Sequence, residues 1–233
     1  MNNASAHQEM LVNVAVALGE NLCKKMVFVG GCTTSLLLTD AFTKEQVRHT
    51  DDVDLIIHVI GIPPYYKLQE ELRSRNFKEN FDVDDPICAM KLGELRVDFM
   101  PDDESILGFS NKWYKEAYNK AETYQLTKEI TIKLVTPVFF IATKLEAYLG
   151  RGSNDPLESR DIEDVLNLFS GRKELVAEIK QAPEKLKTFI SIQMEVLLSN
   201  MDFEYAVQST ALGDKAREDL IFKRLESVVG LAK

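Results

Sequence analysis

No run of eighteen or more apolar residues occurs in the chain, which leaves no sequence candidate for a membrane-spanning helix. Cysteine is scarce. Cys23, Cys32 and Cys88 lie far apart, and an odd count fits neither a disulfide framework nor paired metal-ligand spacing, so a reducing cytoplasm is the expected location. The start, Met1 to Glu9, is polar with no basic stretch leading into an apolar one, and no secretion signal is expected. Basic residues are in the minority, 28 against 37 acidic, and the formal charge of −9 argues against a surface devoted to wrapping nucleic acid backbone. Lys112 with Lys115 and Arg172 with Lys173 are either a local basic patch or solvated faces. Internal repeats and low-complexity segments are absent. What the chain does have is 45% hydrophobic content over 233 residues, enough to bury one large core or two smaller ones.

Local patterns divide the chain near residue 136. Ser5 to Lys25 carries Met10, Val14, Leu18 and Leu22 at helical spacing and reads as an amphipathic helix. Met26 to Val29 is a short apolar run rich in strand formers; it stops at Gly30-Gly31 and gives way to a helical stretch, Thr33 to Leu38. Val53 to Ile60 is a second buried strand closed by Gly61 and the Pro63-Pro64 pair, and Tyr65 to Phe77 is expected to be helical. Ile87 to Lys91 and Glu94 to Met100 read as an antiparallel hairpin around Leu92-Gly93, which makes the sheet mixed. A short helix at Asn111 to Lys120 and extended segments at Tyr124 to Leu126 and Ile130 to Val135 complete this half. Thr136-Pro137 starts a helix that runs to Gly150, and helices are then expected over Glu158 to Phe169, from Pro183 to Ser199, and over Asp214 to Val229. The expected fold class is α/β (α+β): a mixed-sheet domain with flanking helices over 1–135, followed by a helical domain over 136–233.

The most informative segment is Thr50 to Ile57, because acidic residues head an otherwise apolar strand. Residues two apart in a strand share a face, so Asp52 and Asp54 project together with roughly 6.5 to 7 Å between their α-carbons. Asp51 faces the other way. The pair is either solvated at a strand mouth or the start of a site for hard cations. Asp98, within the alternating apolar pattern of Glu94 to Met100, offers a third carboxylate that completes a metal site and takes a proton from an attacking hydroxyl. Three such oxygen ligands suit magnesium, and paired ions about 3.5 to 4 Å apart clamp an in-line displacement at phosphorus. The Gly30-Gly31 pair is either a tight turn or the complementary half of that site, a bare loop whose backbone N–H groups approach phosphate oxygens ahead of a helix.

In this order, over residues 27 to 98, the motifs resemble the nucleotidyltransferase superfamily related to DNA polymerase β: a glycine turn, a helix, an Asp-x-Asp strand and a later Asp. More narrowly, Arg48 to Leu55 is similar to the arginine-led acidic motif of AbiEii-type toxins, and Lys144, Ala147 and Arg151 with Arg160, Asp161 and Asp164 resemble the pattern of their helical half. The resemblance implies transfer of a nucleoside monophosphate from a triphosphate to an acceptor. It makes Asp52, Asp54 and Asp98 ligands of two magnesium ions, Gly30, Gly31, Thr33, Thr34 and Arg48 nucleotide-binding residues, Lys144 a neutraliser of phosphate charge and Asp161 its support. It further implies an RNA acceptor, such as tRNA, and an antitoxin protein as partner. Two features depart from the pattern: Cys32 stands where the family has a hydroxyl, and Thr43 to Arg48 is an insertion. His49, beside the carboxylates, is a bystander or a catalytic group. Transfer to a small alcohol such as an antibiotic, a silent binding module and metal-dependent phosphoester hydrolysis are the rival readings.

Overall fold

The computed structural model describes residues 2–79, 87–151 and 155–231. The fold is mixed α/β. In chain order the elements are α1 (Asn3–Cys23), β1 (Met26–Val29), a 3-10 turn (Gly31–Thr33), α2 (Thr34–Leu37), α3 (Ala41–Gln46), β2 (Asp52–Ile57), α4 (Ile62–Ser74), β3 (Phe77–Glu79), β4 (Ala89–Leu92) and β5 (Leu95–Pro101). They continue with α5 (Glu104–Leu107), α6 (Tyr114–Lys120), β6 (Glu122–Gln125), β7 (Thr131–Leu134), α7 (Pro137–Arg151), α8 (Arg160–Gly171), α9 (Leu175–Gln181), α10 (Glu184–Leu198), α11 (Met201–Ala211) and α12 (Lys215–Glu226). No described helix is long and apolar enough to cross a membrane.

The chain forms two compact units, one of Met1–Thr33 with Arg48–Thr136 and one of Thr34–Val47 with Pro137–Lys233. The first is built on a sheet of order β3-β4-β5-β2-β1-β7-β6. β1 runs antiparallel to β2 and parallel to β7, and β2 runs parallel to β5, so the central strands are paired on both sides. Their side chains explain that position. Val27, Phe28, Val53, Leu55, Ile56 and Val97 are inaccessible to water, and such runs suit strands covered on both faces. α1 packs on β1, β2 and β7 through Leu11, Val14, Leu18 and Leu22. Its stripe begins at His7, four residues before Leu11, and Met10 lies at the edge of that stripe.

Two elements of this unit differ from the sequence expectation. The helix expected from Tyr65 to Phe77 begins at Ile62, because Pro63 and Pro64 fall in its first turn, where a missing N–H leaves no helix bond unmade. It ends at Ser74. Asn76 then takes a left-handed φ of 69°, reverses the chain, and Phe77 opens the edge strand β3. The hairpin of β4 and β5 turns one residue later than expected, with Leu92 opposite Leu95 and Gly93 at φ 63°.

In the second unit α8 packs against α7, α11 and α12 and also against α2 and α3. Its buried side chains, Ile162, Val165, Leu166, Leu168 and Phe169, are fully shielded. The segment read as an insertion is α3, capped by the Asp40 side chain on the Thr43 N–H. It is tied to the helices by backbone: the Gly171 carbonyl accepts from the Thr39 and Asp40 N–H groups at 2.9 and 2.8 Å. Gly171 has no room for a Cβ, which would lie 2.7 Å from that of Thr43. The helix expected over Thr33 to Leu38 is a 3-10 turn followed by the single turn of α2. α7 continues one residue past Gly150, and α9 and α11 are distinct helices that the sequence did not separate.

Candidate metal centre and glycine turn

Strand register determines which acidic side chains meet. Asp54 lies directly across from Asp98 on β5 and from Val29 on β1, while Asp52 lies across from Arg96. Directly paired residues share a face, and so do residues two apart, so Asp52, Asp54 and Asp98 emerge together. Each offers a carboxylate oxygen, and these oxygens all lie within 4.8 Å of one another. Asp52 and Asp54 are half-buried and Asp98 is buried.

Three anions this close repel. At an effective dielectric constant near 20, each pair contributes on the order of 3 kcal/mol. Arg96, two residues before Asp98 on the same strand, offsets one charge with a fork: Nε donates to Oδ1 at 2.9 Å and Nη2 to Oδ2 at 2.8 Å. The Thr50 hydroxyl donates to Asp52 Oδ1. A cluster of three carboxylates, with oxygen as its only donor type, fits a hard divalent ion such as magnesium.

The glycine turn belongs to this cluster. β1 ends opposite Asp54, and Gly30 follows with φ 79°, in the left-handed region. A Cβ on Gly30 would stand 1.7 Å from Asp54 Oδ2, so the main chain and the carboxylate approach as only glycine permits. The turn closes when Thr33 donates both its N–H and its hydroxyl to the Gly30 carbonyl, at 3.0 and 2.8 Å. Gly31 and Cys32 are buried. The Cys32 thiol points at the His7 carbonyl at 3.5 Å, and burial, with the charges of Asp54 and Asp52, pushes its pKa well up. It is therefore a protonated, inward-facing group.

Sequence reading missed His7, Thr50 and Arg96. His7 is completely buried, and its Nε2 accepts the Thr50 N–H at 3.2 Å. Thr50 in turn holds Asp52, so α1 fixes the entry of β2 through one imidazole. The spacing of His7 to Leu11, Val14, Leu18 and Leu22 is the signal that finds it. Arg48, at the same entry, donates to the His49 carbonyl at 3.1 Å, and His49 is exposed.

The other residues singled out by the sequence meet in the second unit. Lys144 on α7 is 8% exposed, and its Nζ lies 2.7 Å from Asp164 Oδ2 and 3.3 Å from Asp161 Oδ1. Arg151 reaches the other Asp161 oxygen at 2.9 Å, and the Thr34 hydroxyl donates to Asp164 at 3.2 Å. Asp161 and Asp164 are 2% and 1% exposed, so two anions are held by cations of one neighbouring helix. Of the two basic pairs, Arg172 forks onto Glu178 at 2.6 and 2.7 Å and caps the Leu37 carbonyl, whereas Lys173 is exposed. Lys112 lies over the Trp113 ring at 5.9 Å. Compared with known proteins, the chain matches no protein-family model and no curated protein.

Proposed function

We propose that the first unit is the catalytic core of a nucleotidyltransferase that moves a nucleoside monophosphate from a triphosphate to an acceptor hydroxyl. The observation that carries this reading is the meeting of Asp52, Asp54 and Asp98 within 4.8 Å, with Gly30 pressed against Asp54. Asp52, Asp54 and Asp98 would hold magnesium, which supplies charge neutralisation at the phosphates. The turn at Gly30 and Gly31 receives phosphate oxygens on main-chain N–H groups. Thr33 supports it from inside, since its hydroxyl already donates to the Gly30 carbonyl.

The acceptor oxygen attacks the α-phosphorus, the bond to the β-phosphate breaks, and pyrophosphate leaves with its electron pair. Asp98 takes the acceptor proton. Thr50 orients Asp52 before substrate arrives, and the Arg96 fork holds Asp98 until a divalent ion takes its place. The resemblance to AbiEii-type toxins supports RNA, such as tRNA, as acceptor and an antitoxin as partner.

A second reading, a binding module without catalysis, is favoured by one observation: the Arg96 fork already occupies both oxygens of Asp98. One experiment separates the two. The protein is incubated with magnesium, total RNA and triphosphates labelled at the α- or the γ-phosphate. Transfer places α-label on the acceptor and γ-label in pyrophosphate, and Asp52→Asn abolishes both. Absence of labelled acceptor together with absence of magnesium-nucleotide binding rejects the enzyme reading. Release of γ-label as orthophosphate with no labelled acceptor signifies hydrolysis.

A further inference from the structure

Asn167, on α8, is 5% exposed, and its Nδ2 donates to no group among the described residues. A buried amide donor without an acceptor weakens the fold that contains it, so its presence calls for a partner that binds. Asn167 lines a cavity of about 260 Å3 that belongs wholly to the second unit. The cavity exists because α11, packed against α8, presents small side chains to it: Ala206, Ser209 and Thr210 share one helix face and leave a gap beside Leu166 and Asn167. A water takes about 30 Å3 of liquid volume, so the cavity has the size of a small organic molecule and not of one bridging water. Leu212, at its rim, is exposed and caps α11 with a left-handed φ of 53°, a region that leucine enters at a cost.

We infer that this cavity binds a small uncharged molecule through an edge that sets a hydrogen-bond acceptor next to an N–H donor. The acceptor meets Asn167 Nδ2, and the N–H meets the amide oxygen of the same side chain. The Thr210 hydroxyl donates to the Ala206 carbonyl at 3.0 Å, so what its oxygen has left to offer is a second acceptor for such a donor. No lysine, arginine or histidine is among the described residues of the lining, so a phosphate or carboxylate would be buried there without a countercharge. Asparagine pairs through two bonds with the N7 and N6 edge of adenine, and a primary carboxamide carries the same donor and acceptor pattern. An adenine base and a carboxamide are therefore the two sources of this chemistry. The inference is independent of the nucleotidyltransferase reading, whose metal ligands Asp52, Asp54 and Asp98 belong to the other unit.

The test uses the full chain and isothermal calorimetry, with adenosine, nicotinamide and guanosine as probes in a metal-free buffer. Adenosine or nicotinamide is expected to bind at one site per chain. Guanosine offers two acceptors and no N–H on the edge that asparagine reads, so adenosine binding with guanosine at least about fivefold weaker assigns the site to an adenine base. Nicotinamide binding without adenosine binding assigns it to a carboxamide. Asn167→Leu, of the same branched shape, weakens the bound probe at least about tenfold and leaves the Tm of the unliganded protein equal or higher, because an unmade hydrogen bond has been removed. Asp52→Asn leaves probe binding intact, whatever it does to label transfer. The site is overturned if neither adenosine nor nicotinamide binds at millimolar concentration, if adenosine and guanosine bind equally, or if Asn167→Leu keeps wild-type affinity. A lower Tm in Asn167→Leu overturns it as well, because the amide would then be a structural group satisfied by enclosed water.

Discussion

Asp54 Oδ2 occupies the space that a side chain on Gly30 would need, 1.7 Å from the ideal Cβ position. The turn and the acidic strand are thereby one structure, and neither can be changed alone. Gly30→Ala adds strain from its left-handed φ of 79° as well as the clash, so it is expected to lose about 1–3 kcal/mol or more in urea unfolding. Its divalent-ion affinity falls with the displaced carboxylate. A Gly30→Ala protein with wild-type stability and wild-type ion binding contradicts the arrangement.

At the proposed ion site a divalent ion would compete with Arg96 for Asp98. Arg96→Gln leaves the three carboxylates without the fork, which lowers stability in the absence of metal and makes metal binding more favourable. The increase in Tm on adding millimolar magnesium should exceed that of the wild type by about 2–4 °C, corresponding to roughly 1 kcal/mol of extra linkage. A smaller increase than in the wild type would mean that Arg96 assists ion binding.

Lys144 holds two carboxylates that are 1% and 2% exposed. Lys144→Met removes the cation that the two carboxylates share, although Arg151 still reaches Asp161 and the Thr34 hydroxyl still reaches Asp164, and loss of one partner of such a buried set costs about 3–5 kcal/mol. Urea unfolding measures this. A loss below about 1 kcal/mol would show that the remaining partners of Asp161 and Asp164 are sufficient without Lys144.

His7→Phe removes the acceptor of the buried Thr50 N–H, with an expected destabilisation of about 1–3 kcal/mol. His7→Gln, which offers an amide oxygen, should recover part of it. Equal losses in the two variants would assign the cost to packing and not to the hydrogen bond.

The thiols give an alkaline prediction. Burial raises the pKa of Cys23 to about 11 and that of Cys88 to about 12, from an ordinary value near 9. The folded state therefore keeps protons that the unfolded state releases above pH 9. Stability from this source is fully present below pH 9 and is lost as pH rises towards 12. Native protein at pH 8 should also react slowly with a disulfide reagent and rapidly once unfolded. Fast reaction of the native thiols would contradict their burial.

The cluster was legible in the sequence because a strand has a strict period: Asp52 and Asp54 share a face, and Asp98 interrupts an apolar alternation. The glycine pair was legible for a similar reason, as a break after four strand formers. Other features depend on partners distant in sequence. His7 reads as one more polar residue near the chain start until Leu11 and Thr50 are placed around it. The edge strand β3 has three residues, too few for a pattern, and follows its helix through Asn76 in a left-handed conformation that asparagine takes more readily than most non-glycine residues.

The central claim is that Asp52, Asp54 and Asp98 act as one divalent-ion site beside the glycine turn. Titration with Mn2+, followed by the paramagnetic signal of the free ion in the presence of a non-hydrolysable triphosphate, tests it most directly. The wild type should bind up to two ions per chain, and Asp54→Asn and Asp98→Asn, each verified as folded, should lose them. Binding of manganese by both variants with wild-type affinity and stoichiometry would contradict the account.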